Sequence, residues 1–338
     1  MIVNISVALG TYNGDNYLQE QLDSLAKQTI LPYELVVCDD GSEDKTVEIL
    51  KSFAASAPFP VHIYVNETNL GFADNFLKAA KLCKADWIAF CDQDDVWLTN
   101  KIAKVNDAIL SYSNDELVLI GHTSLLTQEN LVPTGQRMPD YKCDIYTYRA
   151  KGFGIFGVHG FSMVFNSRLI KEFDLTLRPS VPDSHDIWIS MLANSIGDIA
   201  YISEPLALWR RHDGSLSRPS KTQTIIDQAT IAMTALIPAP YIEMGNMAKK
   251  ISLSFQSLGE NSTNNTMKER LMIGSTNYLK LADNYFQRAD LYKCQGRISK
   301  LKVLANLFLM NGYGGLKFNS LGWKSFIKDV AFAFGIIG

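Results

Sequence analysis

Cysteine is scarce and unpatterned in this sequence. Its five cysteines, Cys38, Cys83, Cys91, Cys143 and Cys294, are scattered, odd in number and form no CxxC. That suggests neither a disulfide framework nor a thiolate zinc site, and leaves reduced cytosolic thiols as the simple reading. Long apolar runs are missing as well. No stretch approaches the ~18 residues that cross a bilayer as a helix, and the N-terminal MIVNISVALGTYNG has neither a basic leader nor a small-residue cleavage site. The expectation is a cytoplasmic chain, neither secreted nor membrane-spanning. No internal repeat or low-complexity tract is evident. No GxGxxG follows the first strand-like segment, which removes the main support for a dinucleotide-binding oxidoreductase.

What is present is an ordinary globular composition, 47% hydrophobic and 20% charged over 338 residues, enough for one large domain and a smaller appendage. The net charge of −3 hides an asymmetry. From Lys293 onward seven Lys or Arg face one acid, Asp329, a net of +6 that leaves −9 for residues 1–292. Within this basic tail Trp323, Phe326, Ile327, Val330, Phe334 and Ile337 recur at helical spacing, with Lys324 and Lys328 off that face. Such a helix suits either an anionic membrane surface or a docking face on its own domain; periodicity does not separate the two, and the basic excess tips toward membrane contact. No nucleic-acid partner is expected.

The first hundred residues alternate strand-like and helix-like segments, the pattern of a parallel sheet with helices packed on it. Strand-like Ile2–Leu9, Leu35–Cys38, Val61–Val65 and Trp87–Phe90 lead into Gly10-Thr11-Tyr12-Asn13-Gly14, Asp39-Asp40-Gly41-Ser42, Asn69-Leu70-Gly71 and Cys91-Asp92-Gln93-Asp94-Asp95. Three of these acidic or Gly-Asn-rich loops would share one rim, where open α/β sheets bind ligands. From Leu117 to Trp209 the pattern loosens to strands at 117–123 and 158–165 and a helix from Ser184 to about Ser195. After Pro219 it reads as successive helices. The expected fold is α/β, a Rossmann-like, mostly parallel sheet with helices on both faces, spanning residues 1–218. A helical region, 219–338, follows, with the boundary near 215–220.

Several rim residues can carry chemistry. Asp92 and Asp94, alternate carboxylates after a buried strand, can converge on a hard divalent cation such as Mg²⁺ or Mn²⁺, with a diphosphate completing the ligands. Asp39 and Asp40 can share the work of an Asx turn, with Ser42 capping the next helix, and of accepting the imide N–H of a uracil or thymine; which acid does the latter is open, with Asp40 preferred. Tyr12, among Gly10, Thr11 and Asn13, offers a flat face to a base, or is a core tyrosine. Asn75, in a first helical turn, can reach a donor hydroxyl or phosphate, or merely start its helix. Ser184 reads as an N-cap, and Asp186 in the first turn can act as general base toward an acceptor hydroxyl. Arg210, Arg211 and His212 suit phosphate oxygens and a metal, or form a solvated basic turn.

Taken in order, ISVALGTYNG, ELVVCDDGSEDKT, NLGFADNF, FCDQDDVW, GFSMVFN, SHDIW and RRHDGS resemble the family 2 glycosyltransferases of GT-A fold, and most of all their rhamnosyltransferase-like branch. The resemblance covers residues 3–215. It implies that Gly10, Thr11, Tyr12 and Asn13 contact the nucleotide, that Asp40 recognises the base, and that Asp92 and Asp94 form the DxD. It further implies that Asp186 is the base of an inverting displacement and that His212 approaches the metal or diphosphate. The implied donor is a dTDP- or UDP-sugar, with dTDP-L-rhamnose foremost. The expected acceptor is a lipid-linked glycan of a bacterial surface polysaccharide, with a protein acceptor as the alternative; neither the acceptor nor a membrane role follows from the resemblance. His185 stands where many members carry Glu before the base. The segment past 220 matches nothing in the family pattern.

Rival readings fare less well. A nucleotidyltransferase needs a cationic, Gly-rich first loop, whereas GTYNGDN has no cation. A phosphorelay receiver leaves the DxD and the late Arg-Arg-His without a task. A non-catalytic sugar-nucleotide binder shares most of the same residues, and only the proposed base separates it from an enzyme.

Overall fold

The structure is a computed structural model and describes residues 2–112, 116–140, 142–144, 158–179, 184–214, 236–310, 312–313 and 322–337. Its contacts divide these into two compact units. The first holds 2–175 and 184–214, the second 176–179 and 236–337. The expected domain boundary at 215–220 and Ser215 of the late motif lie outside the described residues.

In the first unit β1 (Ile5–Thr11), β2 (Glu34–Asp39) and β4 (Trp87–Cys91) are buried along their whole length, as strands covered on both faces must be. Alternation sorts their side chains. Val7, Leu9, Leu35 and Val37 join Leu18, Leu22 and Leu25 of α1 (Leu18–Ala26) and Leu50 and Phe53 of α2 (Thr46–Ala54) in one cluster. The opposite face receives α3 (Phe72–Leu82), whose Phe76 ring would lie 3.1 Å from a Cβ on Gly10.

The remaining strands are β3 (Val61–Val65), β5 (Val96–Trp97), β6 (Leu117–Thr127), β7 (Pro133–Met138), β8 (Met163–Asn166) and β9 (Asp198–Arg210). The sheet runs β3-β2-β1-β4-β8-β6-β9-β5, with β7 added to β6. Its first half, β3 to β4, is parallel. The second half is mixed, since β8 is antiparallel to both neighbours while β6 and β9 are parallel. The segment expected as a strand from 158 opens with a 3₁₀ turn over Gly160–Ser162 before β8. A side chain at Gly160 would meet His185 at 2.9 Å.

Two features position the rim. Strand order reverses on either side of β1, which makes the carboxyl ends of β1 and β4 the switch point where such sheets bind ligands. The chain leaving β4 then reaches the far edge, where Val96 and Trp97 pair antiparallel with Leu208 and Ala207. That pairing brings the end of β9, and the residues after it, against the loop after β4. The flanking helices are α4 (Lys101–Ser111), α5 (Arg168–Lys171) and α6 (His185–Ile196).

The second unit contains α7 (Ala239–Asn261), α8 (Asn265–Lys293), α9 (Arg297–Leu309) and α10 (Gly322–Ala333). α7 and α8 form an antiparallel hairpin. Tyr241 stacks on Tyr292 at 5.2 Å, and near the other end Phe255 meets Tyr278 edge-on at 5.4 Å. The Asn264 side chain accepts from the Met267 N–H at 3.1 Å and caps α8. α10 docks through its acid: Asp329 is fully buried, accepts from the Tyr292 and Tyr313 hydroxyls and pairs with Arg288. Of the two sequence readings of this helix, docking within its own unit is therefore the one its buried face follows. No described helix is long and apolar enough to cross a membrane.

Candidate active site

The first loop is tied to its neighbours by side chains. Gln93 holds the Tyr12 backbone at both ends, accepting from its N–H at 2.9 Å and donating to its carbonyl at 3.0 Å. Asn13, with φ of 45°, donates its N–H to Ser42 Oγ and accepts from the Glu43 N–H. The Tyr12 ring is left half exposed, as a stacking face must be. Gly10 lies in β1, where a Cβ would press tightly on the Phe76 ring at 3.1 Å.

The two acids after β2 are both buried and do different work. Asp39 accepts from Thr11 Oγ1 at 2.8 Å and from the Ser42 N–H and Oγ at 2.9 and 2.6 Å. Ser42 is thus spent on Asp39, and α2 starts later, where Asp44 accepts from the Thr46 N–H. Asp40 accepts from Asn66 Nδ2, the Leu70 N–H and the Gly71 N–H at 2.7, 2.8 and 2.9 Å, which pins the 66–71 loop. Among the described residues its Oδ2 accepts from the Gly71 N–H alone, which leaves one lone-pair position there. Asn75 is buried with its amide engaged, donating to the Cys38 carbonyl and accepting from Asn66. It frames the rim rather than lining it.

Asp92, Asp94 and Asp95 bring their carboxylate oxygens within 4.8 Å of one another. Burial and the charges of Asp94 and Asp186 push the Asp92 carboxyl up to about 8. Burial and the charges of Asp94 and Asp92 raise Asp95 well above the carboxylate range. Asp95 Oδ1 accepts from the Arg210 N–H at 2.9 Å, while the buried Oδ2 has no hydrogen-bond partner among the described residues. An orphaned carboxylate oxygen among acids that resist ionising together fits a hard divalent cation, which would satisfy the lone pairs and offset the charge. Behind the cluster lies Lys101, wholly buried, donating to the Phe161 carbonyl at 2.8 Å and seated 3.6 Å above the Trp97 ring. Burial pulls its pKa down to about 7 against the acids, which favour its charge.

His212 reaches the same place from beyond β9. Its Nε2 lies 2.8 Å from Asp94 Oδ2, its Nδ1 accepts from the Gly214 N–H, and its ring packs 4.5 Å from Tyr17. Arg210 is placed otherwise than the sequence suggested. Its buried guanidinium donates to the Asp94 carbonyl at 2.7 Å, to the Glu129 carbonyl and to Glu20, and lies over Tyr17. It clamps the acidic loop, with three of its five N–H donors spent on these contacts. Arg211 lies 4.8 Å over the Trp209 ring.

Asp186 stands at the start of α6, held by three donors. Gly160 N–H donates to Oδ2 at 3.0 Å, and Ile187 N–H and Ser184 Oγ donate to Oδ1. Ser184 occupies the N-cap position but makes no side-chain cap bond; its hydroxyl orients the acid instead. His185 turns away into aromatic rings, stacked on Phe76 at 4.3 Å and edge-on to Phe90 at 4.7 Å. Beside the acid runs a shelf of stacked rings, His159 on Phe161 at 5.6 Å and Phe161 on Trp209 at 4.8 Å. The charge of Asp186 acts on both His159 and Asp92, so acid cluster and candidate base share one neighbourhood.

The structure thus brings together Tyr12, Asp92, Asp94, Asp186 and His212 as rim groups, and turns Asn75 and Arg210 into frame. The sequence reading included Gln93 and Asp95 in the acidic run without giving either a role, and it missed Lys101 and the ring shelf. Asp95 was adjacent to the motif and could have been given one; Lys101 and the shelf depend on contacts across the sheet that leave no local pattern.

The family described as Glycosyl transferase family 2 matches residues 6–172. Over that span the chain belongs to glycosyl transferase family 2. This glycosyltransferase is 28% identical over 221 residues to the dTDP-rhamnosyl transferase RfbG of Shigella flexneri, covering 61% of this chain and 72% of that protein. It is 31% identical over 120 residues to the UDP-Glc:alpha-D-GlcNAc-diphosphoundecaprenol beta-1,3-glucosyltransferase WfgD of Escherichia coli, covering 34% and 46%. Its fold is that of S. aureus TarS 1-349 in the complex with UDP-GlcNAc, with a TM-score of 0.56, 16% identity, and 98% and 92% of the two chains covered. The glycosyltransferase is accordingly an α/β enzyme of GT-A fold with a helical C-terminal region.

Proposed function

We propose that this chain is an inverting, metal-dependent glycosyltransferase. It moves L-rhamnose from dTDP-L-rhamnose onto a hydroxyl of a lipid-linked surface polysaccharide intermediate at the cytoplasmic face of a membrane. The observation that carries the reading is the shared neighbourhood of the Asp92-Asp94-Asp95 cluster and Asp186, a diphosphate anchor and a base on one rim. Similarity to RfbG supports dTDP-rhamnose; similarity to WfgD supports a UDP-hexose as the second reading.

In this account Tyr12 stacks on the base, with Gly10, Thr11, Asn13 and Asp39 shaping its pocket, and the remaining lone pair of Asp40 Oδ2 accepts the imide N–H. Asp92, Asp94 and His212 hold a Mg²⁺ or Mn²⁺ ion, which supplies the positive charge that a departing nucleoside diphosphate requires. Arg211 adds a guanidinium for phosphate oxygens, while Arg210 and Asn75 keep the loops in place. Asp186, aimed by its three donors, takes the proton of the acceptor hydroxyl as that oxygen bonds to the anomeric carbon. The bond from carbon to phosphate oxygen breaks on the opposite face, its electron pair leaving with the diphosphate.

The test is Asp186→Asn. It keeps the shape and most of the contacts but cannot accept a proton, so transfer should fall by about 10³-fold or more while nucleotide affinity stays within about twofold. Turnover near wild type in this variant would remove Asp186 from the base role.

A further inference from the structure

α9 carries two faces of different character. Leu304 and Leu307 are buried within the second unit. Elsewhere around the helix Ile298, Leu301, Phe308 and Leu309 are 74, 36, 66 and 80% exposed. At 100° per residue these four, with exposed Ala305 among them, fall on one stripe, running about 17 Å at 1.5 Å per residue. Arg297 and Lys302, both exposed, border the stripe on its two sides. α10 runs back along α9. Phe326 lies 6.1 Å from Phe308 at one end, Lys300 sits over the Phe332 ring at 3.7 Å, and a Cβ on Gly335 would stand 3.9 Å from Arg297 at the other. Its Ile327 and Phe334 are exposed as well. Large apolar side chains gathered on an exposed surface mark a contact.

Charge says with what. Of the eight charged residues from Lys293 onward seven are cations, and the lone acid, Asp329, is buried against Arg288, Tyr292 and Tyr313. The exposed charge that α9 and α10 themselves carry is therefore of one sign, which a second copy of the same surface would repel and an anionic surface would attract. We infer that the α9 stripe seats this chain on an anionic lipid surface. Ile298, Leu301, Phe308 and Leu309 enter the acyl boundary, and Arg297 and Lys302 stay with the headgroup phosphates. The inference deepens the proposed placement at a membrane, on which it rests, and makes α9 the contacting element where the sequence pattern pointed to α10.

The experiment is cosedimentation of the full chain with vesicles of phosphatidylcholine alone and with 30% phosphatidylglycerol, for wild type, Phe308→Glu/Leu309→Glu and Arg297→Glu/Lys302→Glu. Nucleotide binding and circular dichroism are read on the same samples. Binding to the anionic vesicles only, weakened at least tenfold in both variants while fold and nucleotide binding persist, is the result expected. Absence of wild-type binding, or undiminished binding by the first variant, overturns the lipid surface; intact nucleotide binding then leaves the transferase reading standing. Lipid-free self-association abolished by the first variant would assign the stripe to a second copy and overturn the inference too.

Discussion

At the scale of single residues the proposed metal site turns on a proton that a bound cation would have to displace. Asp92 is pushed up to about 8 by burial and by Asp94 and Asp186, so below that pH the carboxyl is protonated and a metal ion competes with the proton. Mn²⁺ affinity in the presence of a nucleoside diphosphate should therefore rise about tenfold per pH unit between pH 6 and 7.5 and level off above 8. Titration calorimetry at three pH values measures this, and a flat profile would take Asp92 out of the ligand set. The DxD was legible because a buried strand leads into it and acids alternate after it. The fate of Arg210 was not. Its side chain suits a phosphate by type, but its partners Glu20 and Glu129 lie 190 and 81 positions away in sequence, and no local pattern announces them. Asn75 is the same case in miniature, with both ends of its amide engaged by Cys38 and Asn66.

Among the elements, the parallel half of the sheet could be read from the sequence and the mixed half could not. β1, β2 and β4 are short apolar runs separated by helices with one apolar face, and that rhythm has few physical solutions. β5 is two residues long and exists because β9 pairs with it; nothing in Val96-Trp97 alone specifies a strand. The C-terminal helix shows the reverse difficulty, a clear period with an ambiguous partner. The stripe of Phe326, Ile327, Val330 and Phe334 suggested one apolar face, whereas the buried side of α10 is Ser325, Asp329, Phe332 and Ala333. An acid was the anchor because Arg288, Tyr292 and Tyr313 converge on it. Asp329→Ala should leave the Arg288 guanidinium buried without its carboxylate, at a cost of about 3–5 kcal/mol. Hydrogen exchange should then show the amides of α10 losing protection while those of β1, β2 and β4 keep theirs. Unchanged protection in α10 would mean that its docking does not depend on the acid.

For the molecule as a whole, the ordered set of motifs along the first two hundred residues pointed to a GT-A glycosyltransferase, and fold and family agree with it. That much was legible because the rim is assembled from strand ends in chain order. Donor and acceptor are set by surfaces that the fold leaves variable, so they were not. The most direct test of the account is calorimetric titration of the whole chain with dTDP and with UDP, in Mn²⁺ and after EDTA, alongside Asp94→Ala. The account predicts binding of one nucleotide that requires the metal and falls at least tenfold in the variant. Binding of neither nucleotide in any condition, or metal-independent binding that Asp94→Ala leaves unchanged, would contradict it.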